Sequence, residues 1–396
     1  MTKDLLLLIL AVFGIAVLLR VEFFFYVLYL LFGVYVLAQI WSRRALRQFS
    51  FARRYANRVF RGETVEVELE VVNRGLLPLP WVRINERLPI ELASPAYYRR
   101  VETLGPHGRL SLRYGLEGRR RGYYRLGPLY WSTGDVLGIG ELEAREDAAQ
   151  ADYLIVYPDI LPLRELGLPS HTPFGSMASK SRVFEDPTRV IGVREYCAGD
   201  SLRRIDWKTS AYVGRLQVKQ YQPAISLEAT IYLNLNRDDY GQRDWRQATE
   251  LGIVAAASVA NHLVEQRQSA GLVTNGRDPL TGSEGDTSLP SGRGRNHLMS
   301  LLDVLARVQS VETTPFAGLL HRESAALPWG ATTIAITPTE TEGLFPSLIE
   351  MQRRGFNVVL ILTAPTVPFR SIRERARQLR IQAYRITRRR DLDVWQ

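Results

Sequence analysis

The chain has 396 residues and a net charge of +10, which limit the classes of protein it can represent. This length accommodates two or three domains of about 150 residues each. A single cysteine excludes an internal disulfide framework, and the five histidines lie too far apart in the sequence for a typical metal site. The positive charge suits a nucleic acid, an anionic membrane or an acidic protein as a partner.

Two long apolar runs occupy the N-terminal part of the chain. Residues 5–19 are apolar without interruption, and residues 23–40 are apolar apart from tyrosines and Gln39. Helices of these lengths are about 22 and 27 Å long, so the second is near the hydrocarbon thickness of a bilayer and the first is short unless Asp4 and Arg20 snorkel. A secretory signal peptide is the alternative, but no convincing small-residue cleavage site accompanies the first run. The sequence therefore predicts a transmembrane helical hairpin over residues 1–44.

Basic residues follow the second apolar run. The arginines that precede the next acidic residue, Glu63, are Arg43, Arg44, Arg47, Arg53, Arg54, Arg58 and Arg61. The positive-inside rule places this side of the membrane in the cytoplasm. We therefore predict a multi-pass protein of the inner (cytoplasmic) membrane with its soluble domains in the cytoplasm. We expect these arginines to contact anionic lipid, with Arg43, Arg44 and Arg47 nearest to the bilayer.

Residues 45–150 have the pattern of a β-sandwich domain. Apolar and polar residues alternate along 64–71, as in a half-buried strand, and glycines and prolines separate the segments that follow. Further strands are predicted at 82–84, 109–116 and 123–131. The basic and aromatic stretch 119–128 has two interpretations, a nucleic-acid surface or a turn with solvated arginines, and the turn is favoured.

Strands and helices alternate over residues 227–396. Apolar segments separated by amphipathic ones predict an α/β domain, with a mostly parallel sheet and helices on both faces. Strands are predicted at 227–235, 271–274, 332–337, 356–363 and 381–386, and helices at 245–266, 295–308, 344–354 and 371–379. No G-x-G-x-x-G motif follows the first strand, and the glycine-rich segment 276–294 lacks the G-K-[ST] of a P-loop. We interpret that segment as a mobile surface connection.

The most distinctive stretch is residues 194–211, REYCAGDSLRRIDWKTSA. Its charges alternate in sign around Ile205 and Trp207, which indicates a paired and partly buried polar network. The residues proposed as a binding or structural motif are Arg194, Tyr196, Gly199, Asp200, Arg204, Asp206, Trp207 and Lys208. We expect an ordered bracket in which Ile205 and the Trp207 indole are buried anchors.

This stretch resembles the DUF58 family, whose members carry a segment close to R-x-Y-x-P-G-D-x-x-R-x-I-D-W-K-x-S-A. Ala198 stands where that pattern has proline, and Tyr212 stands where arginine is common. The resemblance implies a Rossmann-like domain of the von Willebrand factor A (vWA) type in the last part of the chain. The implied parts are a transmembrane hairpin at 1–44, a β-sandwich at 45–150, the DUF58 motif segment at 151–226 and the vWA-like domain at 227–396.

The resemblance also implies where a metal would lie. The vWA domains hold a divalent cation with D-x-S-x-S at the end of the first strand. Asn234 falls at the aspartate position and Asn236 at the first serine position, while Thr337 stands at a later strand end. Mg²⁺ prefers carboxylate and water oxygens, so the amide of Asn234 and the charge of Arg237 weaken such a site. We interpret Asn234, Asn236 and Thr337 as candidates for a degenerate metal site and expect no cofactor.

The function that the resemblance implies is binding or assembly without catalysis. DUF58 proteins commonly occur beside MoxR-type AAA+ ATPases, which implies a role with such a partner in the maturation of protein complexes. A membrane-tethered hydrolase that uses Asp200 or Asp206 as a general base is one alternative. A nucleic-acid binder, suggested by charge alone, is another. No nucleophile with a neighbouring base is visible, so we favour a non-enzyme and expect no nucleic-acid partner.

Overall fold

The computed structural model describes most of the chain, in two compact units, Met1–Pro158 and Asp159–Gln396. The described residues are 10–14, 17, 22–134, 141–147, 151–164, 185–197, 200–223, 228–241, 245–280, 286–364 and 368–386.

An apolar helix opens the first unit. Helix α1, Glu22–Arg47, includes one segment, Phe25–Arg47, that is long and apolar enough to cross a membrane. It is the one such candidate among the described residues, and it qualifies by length and composition only. Of the first predicted helix, only residues 10–14 and 17 are described, and they are helical. The rest of that segment lies outside the described residues, so the hairpin stays a prediction.

The last turns of α1 pack against the strands that follow. Ala45 is 1% exposed, and the indole nitrogen of Trp41 donates to the carbonyl oxygen of Pro78 at 3.2 Å. Only Gln48 separates α1 from the first strand. Arg43, Arg44 and Arg47 are exposed at this end of the helix. The helix is therefore continuous with the β-rich part of the unit and is not joined to it by a linker.

The described strands of the first unit form three small sheets. The strands are β1, Phe49–Arg54; β2, Arg58–Phe60; β3, Thr64–Asn73; β4, Leu79–Arg87; β5, Tyr97–Leu104; β6, Arg109–Glu117; β7, Gly122–Leu126; β8, Leu129–Gly134; β9, Glu141–Arg145; and β10, Asp152–Tyr157. The sheet orders are β1-β3-β6, β5-β4-β8-β9 and β2-β10-β7. Their pairings are antiparallel except for that of β2 with β10.

Alternating apolar residues set the buried faces of these sheets. One buried cluster contains Leu69 of β3 and Ile84 of β4, so it joins the first two sheets. A second cluster contains Val67 of β3 and Leu154 of β10, so it joins the first and third. Because every second side chain of a strand points to the same face, the glutamates of β3 face away from these clusters.

The predicted strand over 123–131 is two strands in different sheets. β7 ends at Leu126 and β8 begins at Leu129. Gly127 between them has a φ of 87°, a conformation that favours glycine and turns the chain. The arginines at 119–121 lie in the connection that precedes β7, as the turn interpretation of this stretch predicts.

A buried arginine links all three sheets. Arg53 of β1 donates to Glu86 of β4 at 2.6 Å and, with two nitrogens, to Glu146 after β9 at 2.6 and 2.7 Å. It also donates to Asp152 of β10 at 2.7 Å, and Tyr114 of β6 donates to Glu86 at 2.5 Å. The side chains of Arg53, Glu86 and Glu146 are 0%, 0% and 3% exposed.

Burial and the charges of neighbouring side chains shift the pKa values of this network in opposite directions. Burial raises the pKa of Glu86, and the charge of Arg53 and the Tyr114 hydrogen bond oppose that shift. For Arg53, burial disfavours the charge, but the bonds and charges of its carboxylate partners outweigh burial and raise the pKa. The expectation that Arg53 contacts lipid is therefore wrong, because its guanidinium is enclosed by carboxylates inside the unit.

The second unit is built on a six-stranded sheet, preceded by a two-stranded one. β11, Glu185–Glu195, and β12, Gln217–Pro223, form the smaller sheet, with helix α2, Trp207–Val213, between them. The larger sheet consists of β13, Glu228–Leu233; β14, Ser269–Thr274; β15, Thr287–Gly292; β16, Thr332–Thr337; β17, Asn357–Leu362; and β18, Gln382–Arg385. The helices of this unit after β12 are α3, Trp245–Glu265; α4, Arg295–Arg307; α5, Phe316–Ser324; α6, Leu344–Arg353; and α7, Phe369–Gln378.

The strand order of the larger sheet indicates where a ligand-binding site is expected. Its order is β15-β14-β13-β16-β17-β18, with β15 antiparallel and the other strands parallel. This is the order 3-2-1-4-5-6 of doubly wound folds, which bind ligands where the order reverses, at the carboxyl ends of the strands. That point lies between β13 and β16.

Two elements of this unit differ from the prediction. The segment 276–294, interpreted as a surface connection, contains β15 at the sheet edge. Helix α5 was not predicted. An edge strand needs no continuous apolar face, and β15 has only Leu289 as a large apolar residue, so periodicity gave no signal.

We expect Arg53→Met to lower the free energy of unfolding of the first unit by about 3–5 kcal/mol, because Glu86 and Glu146 then lack a counter-charge. The loss should be smaller at acid pH, since the stranded carboxylates can take up protons there. Urea denaturation of the full-length chain in detergent micelles, at about pH 5 and about pH 8, measures both effects.

The matched control is Arg54→Met on the same strand. Arg54 is 71% exposed and pairs with Glu70 at 3.0 Å. Loss of such an exposed pair costs about 0–1 kcal/mol. Equal losses in the two variants would show that the buried network does not stabilise the unit.

Candidate functional site

The first candidate site is the connection between β11 and β12, which begins with an ion pair. The two terminal nitrogens of Arg194 donate to the two carboxylate oxygens of Asp200 at 2.7 and 2.5 Å. The backbone N–H of Cys197 donates to the same carboxylate at 2.9 Å. The bonds from Arg194 and then Cys197 hold the pKa of Asp200 below its usual range. The predicted charge pairing is present here. Gly199 lies outside the described residues.

Asp206 is a helix cap. Its carboxylate accepts the backbone N–H of Thr209 at 3.1 Å, and this bond lowers the pKa of Asp206. Its own backbone N–H donates to the carbonyl oxygen of Gln217 at 2.8 Å. Ser210 connects the same parts, since its hydroxyl donates to the carbonyl oxygen of Asp206 at 2.7 Å and accepts the N–H of Gln217 at 2.8 Å. Asp206 therefore fixes α2 on β12.

Among the described residues of the connection, Ile205 is the one buried apolar side chain. Ile205 is 6% exposed and pairs through its backbone with Val218 of β12. Trp207 is 68% exposed, so the expectation of a buried indole is wrong. Helix α2 is a short helix with one buried residue, Ser210, and Trp207 stands at its first position.

Four large apolar side chains are exposed in this segment. The Trp207 surface is our name for Leu202, Trp207, Tyr212 and Val213, which are 64%, 68%, 93% and 51% exposed. Arg204 and Lys208 are exposed in the same segment, and Tyr196, half-buried, fixes its base by donating from its backbone N–H to Leu216 at 2.9 Å. Large apolar side chains that are exposed within one short segment make that segment a candidate for contact with other molecules.

The second candidate site lies at the carboxyl ends of β13 and β16. Asn234, Asn236 and Thr337 are 0%, 4% and 1% exposed there. The amide nitrogen of Asn234 donates to Thr337 at 3.1 Å and to Asp239 at 2.8 Å. Its amide oxygen accepts the backbone N–H of Asn236 at 3.0 Å, which fixes the orientation of the amide. The structure thus brings the three predicted residues to one place.

These residues do not fit a divalent cation. The amide nitrogen of Asn234 lies between the oxygens of Asp239 and Thr337, where a cation would have to bind. Among the described residues, no group of three or more His, Cys, Asp or Glu side chains suits a metal. We therefore describe the site as a hydrogen-bonded junction of two strand ends.

Asn275 completes this junction and was not found from the sequence. It donates to the amide oxygen of Asn234 at 3.1 Å and accepts the backbone N–H of Leu235 at 2.7 Å. It also donates to the carbonyl oxygen of Thr314 at 3.0 Å. The available signal was an asparagine directly after a buried strand that neighbours β13. Such positions meet at the same edge of a parallel sheet.

A match to a known protein family covers residues of both candidate sites. Residues 192–331 match the family model described as "Protein of unknown function DUF58". The resemblance to the DUF58 family is confirmed. The uncharacterized protein YeaD of Bacillus subtilis is 25% identical over 308 residues, which cover 76% of this chain and 73% of that protein. The DUF58 match contains the last four residues of β11, the Trp207 surface, Asn234 and Asn275, but not Thr337.

Two solved structures share distant likeness with parts of the chain. A von Willebrand factor type A protein from Catenulispora acidiphila is 13% identical, with a TM-score of 0.30 over 43% of this chain and 40% of that one. A CARDB domain from Pyrococcus furiosus is 16% identical, with a TM-score of 0.21 over 27% of this chain and 91% of that one. At these scores, neither likeness supports a conclusion about fold or function.

We expect Asn234→Asp to destabilise the second unit by about 2–4 kcal/mol, because a carboxylate then replaces a donor beside Asp239. Millimolar Mg²⁺ should raise the melting temperature of this variant, since a cation can join the two carboxylates. The control, Asn234→Ala, should be destabilised without any response to Mg²⁺. A wild-type chain that is stabilised by Mg²⁺ as strongly as Asn234→Asp would contradict the junction interpretation.

Proposed function

We propose that the chain is a membrane-anchored, non-enzymatic binding protein that works with a MoxR-type AAA+ ATPase in the maturation of protein complexes. The ATPase partner follows from the DUF58 resemblance. The observation that carries the binding role is the Trp207 surface, where large apolar side chains are exposed on a well-fixed frame.

The frame of the Trp207 surface supports recognition with little loss of entropy. The Arg194–Asp200 pair, the Asp206 cap and the Ser210 bonds hold the backbone on both sides of α2. Exposed side chains on a preordered backbone lose less conformational freedom on binding than those on a free loop. Tryptophan and tyrosine are also the residues that most often dominate binding energy at protein interfaces.

The two aspartates are poorly suited to the hydrolase alternative. A general base works best when its pKa lies near the operating pH, which for a carboxylate requires a raised pKa. The pKa values of Asp200 and Asp206 are both lowered, by hydrogen bonds from Arg194 and from the Thr209 backbone. Their oxygens hold the fold of the segment, so their chemistry is that of structural carboxylates.

The architecture adds three finer inferences. We infer that α1 is the second helix of a membrane hairpin, since its apolar segment ends in exposed Arg43, Arg44 and Arg47 that suit anionic lipid. We also infer a β-sandwich in the first unit and a vWA-type sheet in the second. The strand order 3-2-1-4-5-6 supports the latter.

We expect the double variant Trp207→Ala/Tyr212→Ala to keep the wild-type melting temperature, because both side chains are exposed, and to lose crosslinks to its protein partner. The measurement is crosslinking from membranes with partners identified by mass spectrometry. Ile205→Ala is the contrasting variant, and its buried side chain should cost about 2–5 kcal/mol of stability.

The variant Asp206→Asn distinguishes the proposed binding role from the hydrolase alternative. Asparagine caps helices about as well as aspartate, so the variant should keep both its stability and its crosslinks. Crosslinks that persist in Trp207→Ala/Tyr212→Ala would remove the Trp207 surface from the proposal. A hydrolytic activity that Asp206→Asn abolishes without unfolding would favour the hydrolase.

Cysteine labelling tests the proposed topology. In a Cys197→Ser background, we expect Arg109→Cys to react with a membrane-impermeant maleimide only after the cells are permeabilised. Lys3→Cys should behave in the same way if two helices precede Arg43. Labelling of Arg109→Cys in intact cells would reverse the orientation, and labelling of Lys3→Cys alone would indicate a single span.

A further inference from the structure

A groove lies on the outer face of the sheet β5-β4-β8-β9. Ile84 and Leu129 point into the buried cluster, so their neighbours Asn85 and Tyr130 point to the opposite face. The groove there has a volume of about 320 Å³. Its lining residues are Arg83, Arg87, Arg99, Asn85, Tyr130, Trp131, Ser132 and Glu143.

Each arginine of this groove lies over an aromatic ring. The guanidinium carbon of Arg83 is 5.6 Å from the centre of the Trp81 ring. That of Arg87 is 5.1 Å from the ring of Tyr130. That of Arg99 is 5.7 Å from the ring of Tyr97. Stacking orders a guanidinium while its N–H groups remain able to bind an oxyanion.

Positive charge exceeds negative charge in the groove. Arg83 pairs with Glu141 at 2.8 Å, whereas Arg87 and Arg99 have no ion-pair partner among the described residues. Glu143 is the one carboxylate that lines the groove. The groove therefore offers two guanidinium groups to an oxyanion.

The direct attachment of the first unit to α1 favours a lipid headgroup as the source of the oxyanion. Helix α1 runs into β1 with one residue between them, and Trp41 and Ala45 at its end pack on the strands. If α1 spans the bilayer, no linker separates the sheets from the headgroup region. This step rests on the proposed membrane anchoring.

We propose that the groove binds the phosphate of an anionic phospholipid headgroup. Arg87 and Arg99 contact the phosphate oxygens. The site differs from the exposed arginines at the end of α1, because its guanidinium groups are stacked on aromatic rings and line a groove.

The test uses the full-length chain in nonionic detergent micelles. Native mass spectrometry measures binding of dihexanoyl-phosphatidylglycerol, dihexanoyl-phosphatidylcholine and free glycerol 3-phosphate. We expect the wild type to prefer phosphatidylglycerol over phosphatidylcholine. We expect Arg87→Gln/Arg99→Gln to weaken phosphatidylglycerol binding about tenfold or more. The control Arg109→Gln/Arg113→Gln removes the same charge from exposed positions of β6 and should bind as the wild type does.

Several results would overturn the proposal. They are equal affinity for the two lipids, unchanged phosphatidylglycerol binding in Arg87→Gln/Arg99→Gln, and equal weakening in the control. Tighter binding of glycerol 3-phosphate than of the lipid would make the ligand a soluble phosphate ester. Flotation of the wild type with phosphatidylcholine vesicles tests the anchor separately, so failure of the anchor and failure of the groove give different results.

Discussion

The first unit depends on the enclosed charge of Arg53. Its three sheets are small, and the apolar clusters between them leave a place where β1, β4, β9 and β10 converge. A guanidinium there has five N–H donors, and four of its hydrogen bonds go to Glu86, Glu146 and Asp152. Such a network adds little to the free energy of unfolding compared with apolar packing, but removal of one partner is strongly destabilising because the other charge stays buried. It therefore specifies which strands meet, since any other arrangement leaves a charge buried alone.

The same pairing of charges determines which side chains remain exposed at the two proposed binding surfaces. Where carboxylates are paired or cap a helix, as Asp200 and Asp206 do, they fix the backbone and have little freedom for chemistry. The groups left over at the surface are apolar on α2 and basic on the outer sheet face of β4 and β5. A rigid frame with exposed indole and phenol rings suits a protein partner, whereas guanidinium groups stacked on rings suit an oxyanion. The two units thus offer surfaces of different chemistry.

Sequence periodicity predicted the second unit well and the first unit only in part. The buried parallel strands have near-continuous apolar runs, so β16 was predicted with the bounds it has, Thr332–Thr337. The first unit contains short strands such as β2 and β9, which carry too few residues to show an alternation. Arg53 was read as a surface residue because its partners, Glu86 and Glu146, are distant in sequence. Ile205 was predicted correctly as a buried anchor. The exposure of Trp207 depends on which side of α2 faces β12, and the sequence pattern did not predict that side.

The junction at Asn234 shows how a ligand-binding edge can become structural. Parallel sheets collect polar groups at the carboxyl ends of their strands, and these groups need partners because the edge is buried. A carboxylate at position 234 would leave negative charge beside Asp239 that a cation must balance. The amide instead supplies its own donor to Asp239 and Thr337 and accepts from Asn236 and Asn275. The polar groups at this edge are then satisfied by one another without a ligand.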